Sequence, residues 1–395
     1  MLDGGAGMTS EMVRLRVQLP RMALYALTLI ALYSFSWPLV TGDMRIHLVP
    51  WYEHIALKGA VEAFAAPFAN YTPPYLYLLT LTTIFDGALP VVTLIKILSV
   101  LGVCGLAIAV AALLKTLHAR DPVMGGCCVL LLPTVIFNAP MLGQADMFWT
   151  AACVMAVAEA AGERHLRMLI WSGVAIAFKA QAVFIAPFVL AIALQRRVPL
   201  ALWLVPALVY VAAMLPAWVA GWPAIDLLTV YGRQIAWAPS FAGNASNIWS
   251  VADSLTEGLV LRPYFWIGFA GAALASAGYL ALVLARRLSG HTLLTAAFLS
   301  AAILPFLLPK MHERFFFLAD ILAFALAWVV RTRPMVALAI AMQASSLASA
   351  IGVLGWRSGP VIGSALTLVA ILIALHELVG KQRTNTEFGA ALIRA

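Results

Sequence analysis

The chain has 395 residues, 63% of them hydrophobic and only 11% charged, and its 25 Lys and Arg against 17 Asp and Glu give a net charge of +8. Soluble domains run nearer about half apolar and about a quarter charged, so with a mean hydropathy of +0.96 a water-soluble fold is excluded. The basic residues punctuate apolar stretches and form no binding surface of their own, which argues against nucleic acid as a partner and makes their placement along the chain the informative quantity.

The reading is an all-α, polytopic transmembrane bundle of about twelve crossings forming one integral membrane domain over 1–395, since a helix needs about 20 apolar residues to cross the hydrocarbon core. A first helix over 23–40 follows Arg14, Arg16 and Arg21, which place the N-terminus in the cytoplasm. It is long for a signal-peptide core and lacks a small-x-small cleavage site, so it reads as retained. A first outer loop over 41–90 comes next, polar to residue 74. Its apolar piece, 75–85, is too short to span at about 1.5 Å per residue and is expected to lie in the interface.

Spans follow at 91–114, 122–138 and 147–161, with basic inner loops at Lys115, His118 and Arg120 and at Arg164, His165 and Arg167. The stretch 168–194 is either one span with Lys179 mid-membrane or two helices turning at Lys179. The two-helix reading keeps most downstream Lys and Arg inside, and it is the one adopted. Spans at 200–220, 264–285, 292–308, 315–330, 336–354 and 360–379 complete the set, with a long outer loop over 221–262 and both termini cytoplasmic. The four cysteines, Cys104, Cys127, Cys128 and Cys153, all fall in apolar segments and read as small core residues.

The basic residues left on the outer face are the ones selection for topology would have removed. Lys179, in Phe178-Lys179-Ala180-Gln181, needs an anionic partner: a carboxylate such as Asp146, or the headgroup of an anionic ligand. Lys310-Met311-His312-Glu313-Arg314 is expected to start a helix running into Phe315, Phe316 and Phe317. Cations there either bind phosphate, with help from the free N–H groups of a helix start, or anchor the helix at the interface. Asp43 follows the first helix directly, with His47, Trp51 and Tyr52 close behind. It reads as a solvated helix terminus or as a general base for a sugar hydroxyl beside a stacking surface. Gln144-Ala145-Asp146 opens a span, its Asp either a cap or a site residue.

Taken in order, Asp43 with Pro50-Trp51-Tyr52, Asn70-Tyr71-Thr72-Pro73-Pro74-Tyr75, Gly143-Gln144-Ala145-Asp146, Phe178-Lys179-Ala180-Gln181, Asn244 with Asn247-Ile248-Trp249-Ser250, and Pro309-Lys310-Met311-His312-Glu313-Arg314-Phe315-Phe316 resemble the bacterial members of the GT-C superfamily of membrane glycosyltransferases, over roughly residues 40 to 330. The resemblance implies inverting transfer of a sugar from a polyprenyl-phosphate donor to a glycan or lipid acceptor hydroxyl on the non-cytoplasmic face of a bacterial membrane. It makes Asp43 the catalytic base. Lys179, Lys310, His312 and Arg314 would bind the donor phosphate, His312 with the sugar as its alternative partner, and Tyr71, Gln144, Asp146, Asn247 and Trp249 the sugar or acceptor. Phe316 and Thr72 depart from tyrosines common in such relatives, which bears on the donor and not on the reaction. No cofactor is implied: there is no Asp-x-Asp motif to hold a metal-nucleotide donor. The rival reading is a flippase or transporter of lipid-linked saccharides, which should carry ionisable groups near the midplane; the spans read as nearly free of them.

Overall fold

The structure is a computed structural model and describes residues 22–237, 243–256, 264–353 and 355–394. Among these the chain is helical, and the one β-type pairing is an isolated antiparallel bridge between Asn244 and His312. Helix α1 (Met22–Ser36) leads into the first segment, which is mostly helical: a π-helical turn at Met44–Leu48, α2 (Val49–Lys58), a 3-10 turn at Glu62–Ala65 and α3 (Pro73–Thr82). Prolines at the first turns of α2 and α3 set their starts, where a missing N–H costs nothing. Gly59, at φ 87°, ends α2 in a conformation that side chains avoid.

The chain continues through α4 (Val91–Thr116), α5 (Pro122–Val129), α6 (Pro133–Ile136), α7 (Asp146–Ala161), α8 (His165–Phe178), α9 (Ala186–Gln195), α10 (Val205–Val219), α11 (Ala224–Trp237) and α12 (Ile248–Leu255). It ends with α13 (Phe265–Leu284), α14 (Gly290–Leu307), α15 (Phe317–Val330), α16 (Arg333–Val353) and α17 (Gly359–Arg394). Among the described residues six helices are long and apolar enough to cross a membrane: α4, α10 with its leading turn, α13, α14, α16 and α17. A bent pair adds a seventh if it is counted as one span. α1, α8 and α9 are apolar but shorter. Large apolar side chains such as Phe35, Val219 and Trp266 stay mostly exposed, as expected where lipid is the solvent.

Four expectations are corrected. The stretch 122–138 is not one straight helix: Pro122–Val129 and Pro133–Met141 meet at 46°, because Pro133 breaks the ladder and Pro140 forces the second half into a π-helical turn. Residues 310–314 do not begin a helix. Leu308 is extended, Lys310 sits at φ 60°, His312 is extended, and a 3-10 turn at Glu313–Phe316 precedes α15. The stretch 221–262, expected as a long loop, contains α11 and α12, with residues 238–242 and 257–262 outside the described chain. Finally, the helices are not free of ionisable groups, since Lys96 in α4, Glu159 in α7 and Asp320 in α15 are all buried.

Lys179 breaks the stretch 168–194 with an extended backbone (φ −161°, ψ 142°). Glu163, just before α8, pairs with Arg196, just after α9, at 3.1 Å. The two helices therefore leave from and return to the same end of the bundle, with Lys179 at the apex. At that common end Arg196 also donates to the Leu288 carbonyl and Arg286 to that of Leu378, while Arg331 reaches the carbonyl of Arg120. Arg120, Arg196, Arg286 and Arg331 thus gather at one end and the candidate site at the other.

Candidate functional site

Asp43, Gln144, Asp146, Lys179 and Arg314 come from four separate segments and meet at the site end of the bundle. Two contacts from α4 set the frame. The Lys96 ammonium, fully buried, donates to the carbonyls of Ser36 (3.3 Å), Trp37 (2.6 Å) and Leu39 (2.6 Å), the chain leaving α1. One turn on, the Ser99 hydroxyl donates to the Gln144 carbonyl at 2.8 Å. One face of α4 thereby fixes both the approach to Asp43 and the peptide before Asp146. The Met44 side chain fills the space over Gly143, where any Cβ would lie 2.3 Å from the Met44 methyl. Gly143 also holds φ 64°, so that glycine is required twice over.

Asp43 accepts a hydrogen bond from Gln144 Nε2 at 2.6 Å and lies 3.3 Å from Arg314 Nη2 and 3.9 Å from His47 Nε2. Its side chain remains 36% exposed, so its carboxylate is open to a ligand while its neighbours are closed in. Burial pushes its pKa up, but Arg314, the Gln144 hydrogen bond, His47 and Lys179 outweigh it and hold the carboxyl below its ordinary value.

Asp146 is fully buried at the first residue of α7 and does not cap it; the N-cap is Ala145, with no side-chain bond. Its Oδ1 accepts from Lys179 Nζ and from Trp149 Nε1, both at 2.9 Å, and its Oδ2 faces Arg314 Nε at 3.7 Å. Lys179 also lies over the Tyr71 ring, 5.2 Å from its centroid, and that ring packs on Trp51 at 5.0 Å. The carboxylate partner expected for Lys179 is therefore Asp146.

Arg314 touches three carboxylates, Asp43 at 3.3 Å, Glu313 at 3.4 Å and Asp146 at 3.7 Å. All three are longer than the roughly 2.7–2.9 Å of a full charge-assisted bond, so the guanidinium is surrounded without being spent. Burial opposes its charge, but Asp43 and Glu313 raise its pKa above normal. His312 moves the other way: burial first, then Arg314, lower its pKa.

Three other residues expected in the site stand elsewhere. The Lys310 ammonium lies over the Phe265 ring at 5.4 Å, turned there by its left-handed backbone. Asn247 caps α12 by accepting from the N–H groups of Trp249 and Ser250, while its amide donates to the carbonyls of Pro305 and Leu308. That saturates the side chain and leaves nothing for a sugar. The indole N–H of Trp249 is committed to the Leu307 carbonyl at 2.7 Å. Together they tie α12 to the end of α14.

Sequence reasoning passed over Lys96, Ser99 and Glu313. An ionisable residue inside an apolar helix is the signal that finds Lys96; nothing in the sequence marks Ser99. Among the described residues no group of three or more His, Cys, Asp or Glu is placed to hold a metal ion. No protein-family model matches the chain, and no curated protein does.

Proposed function

We propose that the protein is an inverting membrane glycosyltransferase of GT-C type, taking a sugar from a polyprenyl-phosphate donor and passing it to an acceptor hydroxyl outside the cytoplasm. The observation that carries this reading is Asp43: a half-exposed carboxylate, oriented by Gln144, beside an incompletely engaged guanidinium. In this reading Asp43 removes the acceptor proton as the hydroxyl attacks C1, and Arg314 stabilises the lipid phosphate as it departs. A phosphate leaves as a stable anion, so no separate acid is needed. Tyr71 and Trp51 offer an aromatic wall on which a sugar ring can rest. Lys179 steadies Asp146 and reaches phosphate only if that pair opens.

Twelve crossings with both termini cytoplasmic belong to the same proposal. Its support is the return of α9 to the Glu163 end and the gathering of Arg120, Arg196, Arg286 and Arg331 away from the site.

The test is to incubate purified protein in nanodiscs with a host lipid extract and follow polyprenyl-phosphate sugars by mass spectrometry. Wild type should consume one of them, and Asp43→Asn should lose at least about 100-fold of that turnover, the usual contribution of a general base. Retention of more than about a tenth of the turnover would remove Asp43 from the base role. The second reading, a carrier of lipid-linked saccharides, is favoured by one observation, the buried Lys96 and Asp320 within helices. Movement of an intact labelled lipid across the bilayer with no change in its mass would select it.

A further inference from the structure

A small cavity lies between the broken half-helix Pro133–Met141, the Glu313–Phe316 turn, α15 and α16, with Arg314 in its wall. It has about 10 Å³ of space for a water-sized centre, which is room for a single water.

Three of its lining side chains carry a buried polar atom that no protein group satisfies: Arg314 Nε, Asp320 Oδ2 and Asn138 Oδ1. The other polar atoms of the same side chains are accounted for. The Arg314 Nη groups lie 3.3 Å from Asp43 and 3.4 Å from Glu313, whereas Nε is 3.7 Å from Asp146 Oδ2, beyond hydrogen-bond reach. Asp320, in the first turn of α15, accepts at Oδ1 from Ser346 Oγ at 3.1 Å. Asn138 Nδ2 donates to the Thr134 carbonyl at 2.9 Å, which fixes the orientation of the amide and leaves Oδ1 as its unmet end.

The unmet set is therefore one donor and two acceptors, the complement of a water molecule. Such a water accepts from Arg314 Nε–H and gives its two protons to Asp320 Oδ2 and Asn138 Oδ1. Its second lone pair leaves the spare amide proton of Asn138 without conflict. One immobilised water costs less than three unmet buried groups. Among the described residues the ion pairs of Arg314 are with Asp43, Asp146 and Glu313, so Asp320 reaches it only through an intermediary.

We propose that this cavity binds one ordered water and that Asp320, acting through it, is a positioning residue for Arg314. The guanidinium is planar, so a bond at Nε sets the direction of both Nη groups, one of which faces Asp43. The water bridge stands on the cavity and its lining; only its effect on turnover rests on the transfer reading.

The test is a double-variant cycle on full-length protein in nanodiscs. Asp320→Leu keeps the size of the side chain but removes the acceptor, and Arg314→Lys keeps the charge but removes Nε–H. Melting temperature needs no substrate: Asp320→Leu should lower it, and in the Arg314→Lys background the drop should be at most about half as large. Turnover at saturating donor, the polyprenyl-phosphate sugar consumed from the host lipid extract, should fall about tenfold in Asp320→Leu and by much less in Arg314→Lys. Asp320→Asn still presents a polar atom to the water and should recover most of both losses. Equal losses in the two backgrounds, or an Asp320→Asn no better than Asp320→Leu, overturn the proposal. Asn138→Leu removes the water's other acceptor and should show the same coupling to Arg314, which gives an answer even where Asp320→Leu does not fold. An experimental density map that resolves ordered waters should place one solvent peak within hydrogen-bonding distance of Arg314 Nε, Asp320 and Asn138; a direct Arg314–Asp146 bond without that peak overturns the bridge. If wild type consumes no donor, the transfer reading fails, and the melting cycle still decides the bridge.

Discussion

The Lys179–Asp146 pair gives the sharpest test of the site's architecture, because its two members should not cost the same to remove. Both side chains are closed in, at 6% and 0% exposure, and 2.9 Å apart. Breaking a buried pair by deleting one member typically costs about 3–5 kcal/mol, since the survivor is left uncompensated. In Lys179→Met the surviving Asp146 keeps the Trp149 N–H at 2.9 Å and Arg314 at 3.7 Å, so the loss should fall near the low end, about 3 kcal/mol. In Asp146→Leu the surviving ammonium keeps the Tyr71 ring at 5.2 Å, worth at most about 2 kcal/mol, and the loss should approach 5 kcal/mol. The double variant Lys179→Met/Asp146→Leu removes both charges and should recover about 2 kcal/mol or more relative to the sum of the singles. Unfolding in mixed detergent and SDS micelles, followed by tryptophan fluorescence, measures all three. Single variants that each cost less than about 1 kcal/mol would mean that the pair is solvated, and the arrangement around Asp146 would have to be abandoned. A stable double variant also separates two roles for Lys179: if it serves only to compensate Asp146, much of the turnover returns with the stability.

Other expectations concern charge, pH and sidedness. Arg314→Ala should abolish most turnover, and Arg314→Lys should recover only part of it, because one ammonium cannot reach Asp43, Glu313 and a phosphate as a planar guanidinium can; equal activity in the two variants at saturating donor speaks against a phosphate role. Gln144→Leu removes a bond that helps hold Asp43 below its ordinary value. The acid limb of the pH–turnover profile should therefore move up in this variant, and an unmoved limb would mean that Asp43 does not set it. In a background lacking Cys104, Cys127, Cys128 and Cys153, Glu53→Cys should react with an impermeant thiol reagent on intact cells, and Arg197→Cys only after the membrane is opened. The reverse pattern inverts the proposed topology.

Apolar length and charge bias together made the helical character and the break at Lys179 legible, because an extended backbone around a buried cation interrupts an otherwise uniform apolar run. The convergence of Asp43, Gln144, Asp146, Lys179 and Arg314 was legible only as a set of polar residues at helix ends facing one way. Which of them pair with one another depends on long-range packing that no local pattern records. Local geometry explains the misses. A left-handed residue swings Lys310 onto Phe265, and an N-cap consumes Asn247. Asp320 and Lys96 are single ionisable residues in apolar runs, a signal the sequence does carry, but the partners that give them a place come from long-range packing.

The grip of Lys96 on the carbonyls that follow α1 has a consequence for biogenesis. Helices enter a membrane in the order of synthesis, so α1 is made before the lysine that will hold its end, and α4 then has to bring an ammonium into lipid. Until the two helices meet, that charge lacks its three carbonyl acceptors and the end of α1 lacks its donor. Insertion of α4 is thus coupled to the capture of α1, and the segment bearing Asp43 takes its place only when both have arrived. A chain ending before residue 96 would lack the donor that fixes the end of α1, so the first segment and α4 take their places together and not as independent pieces.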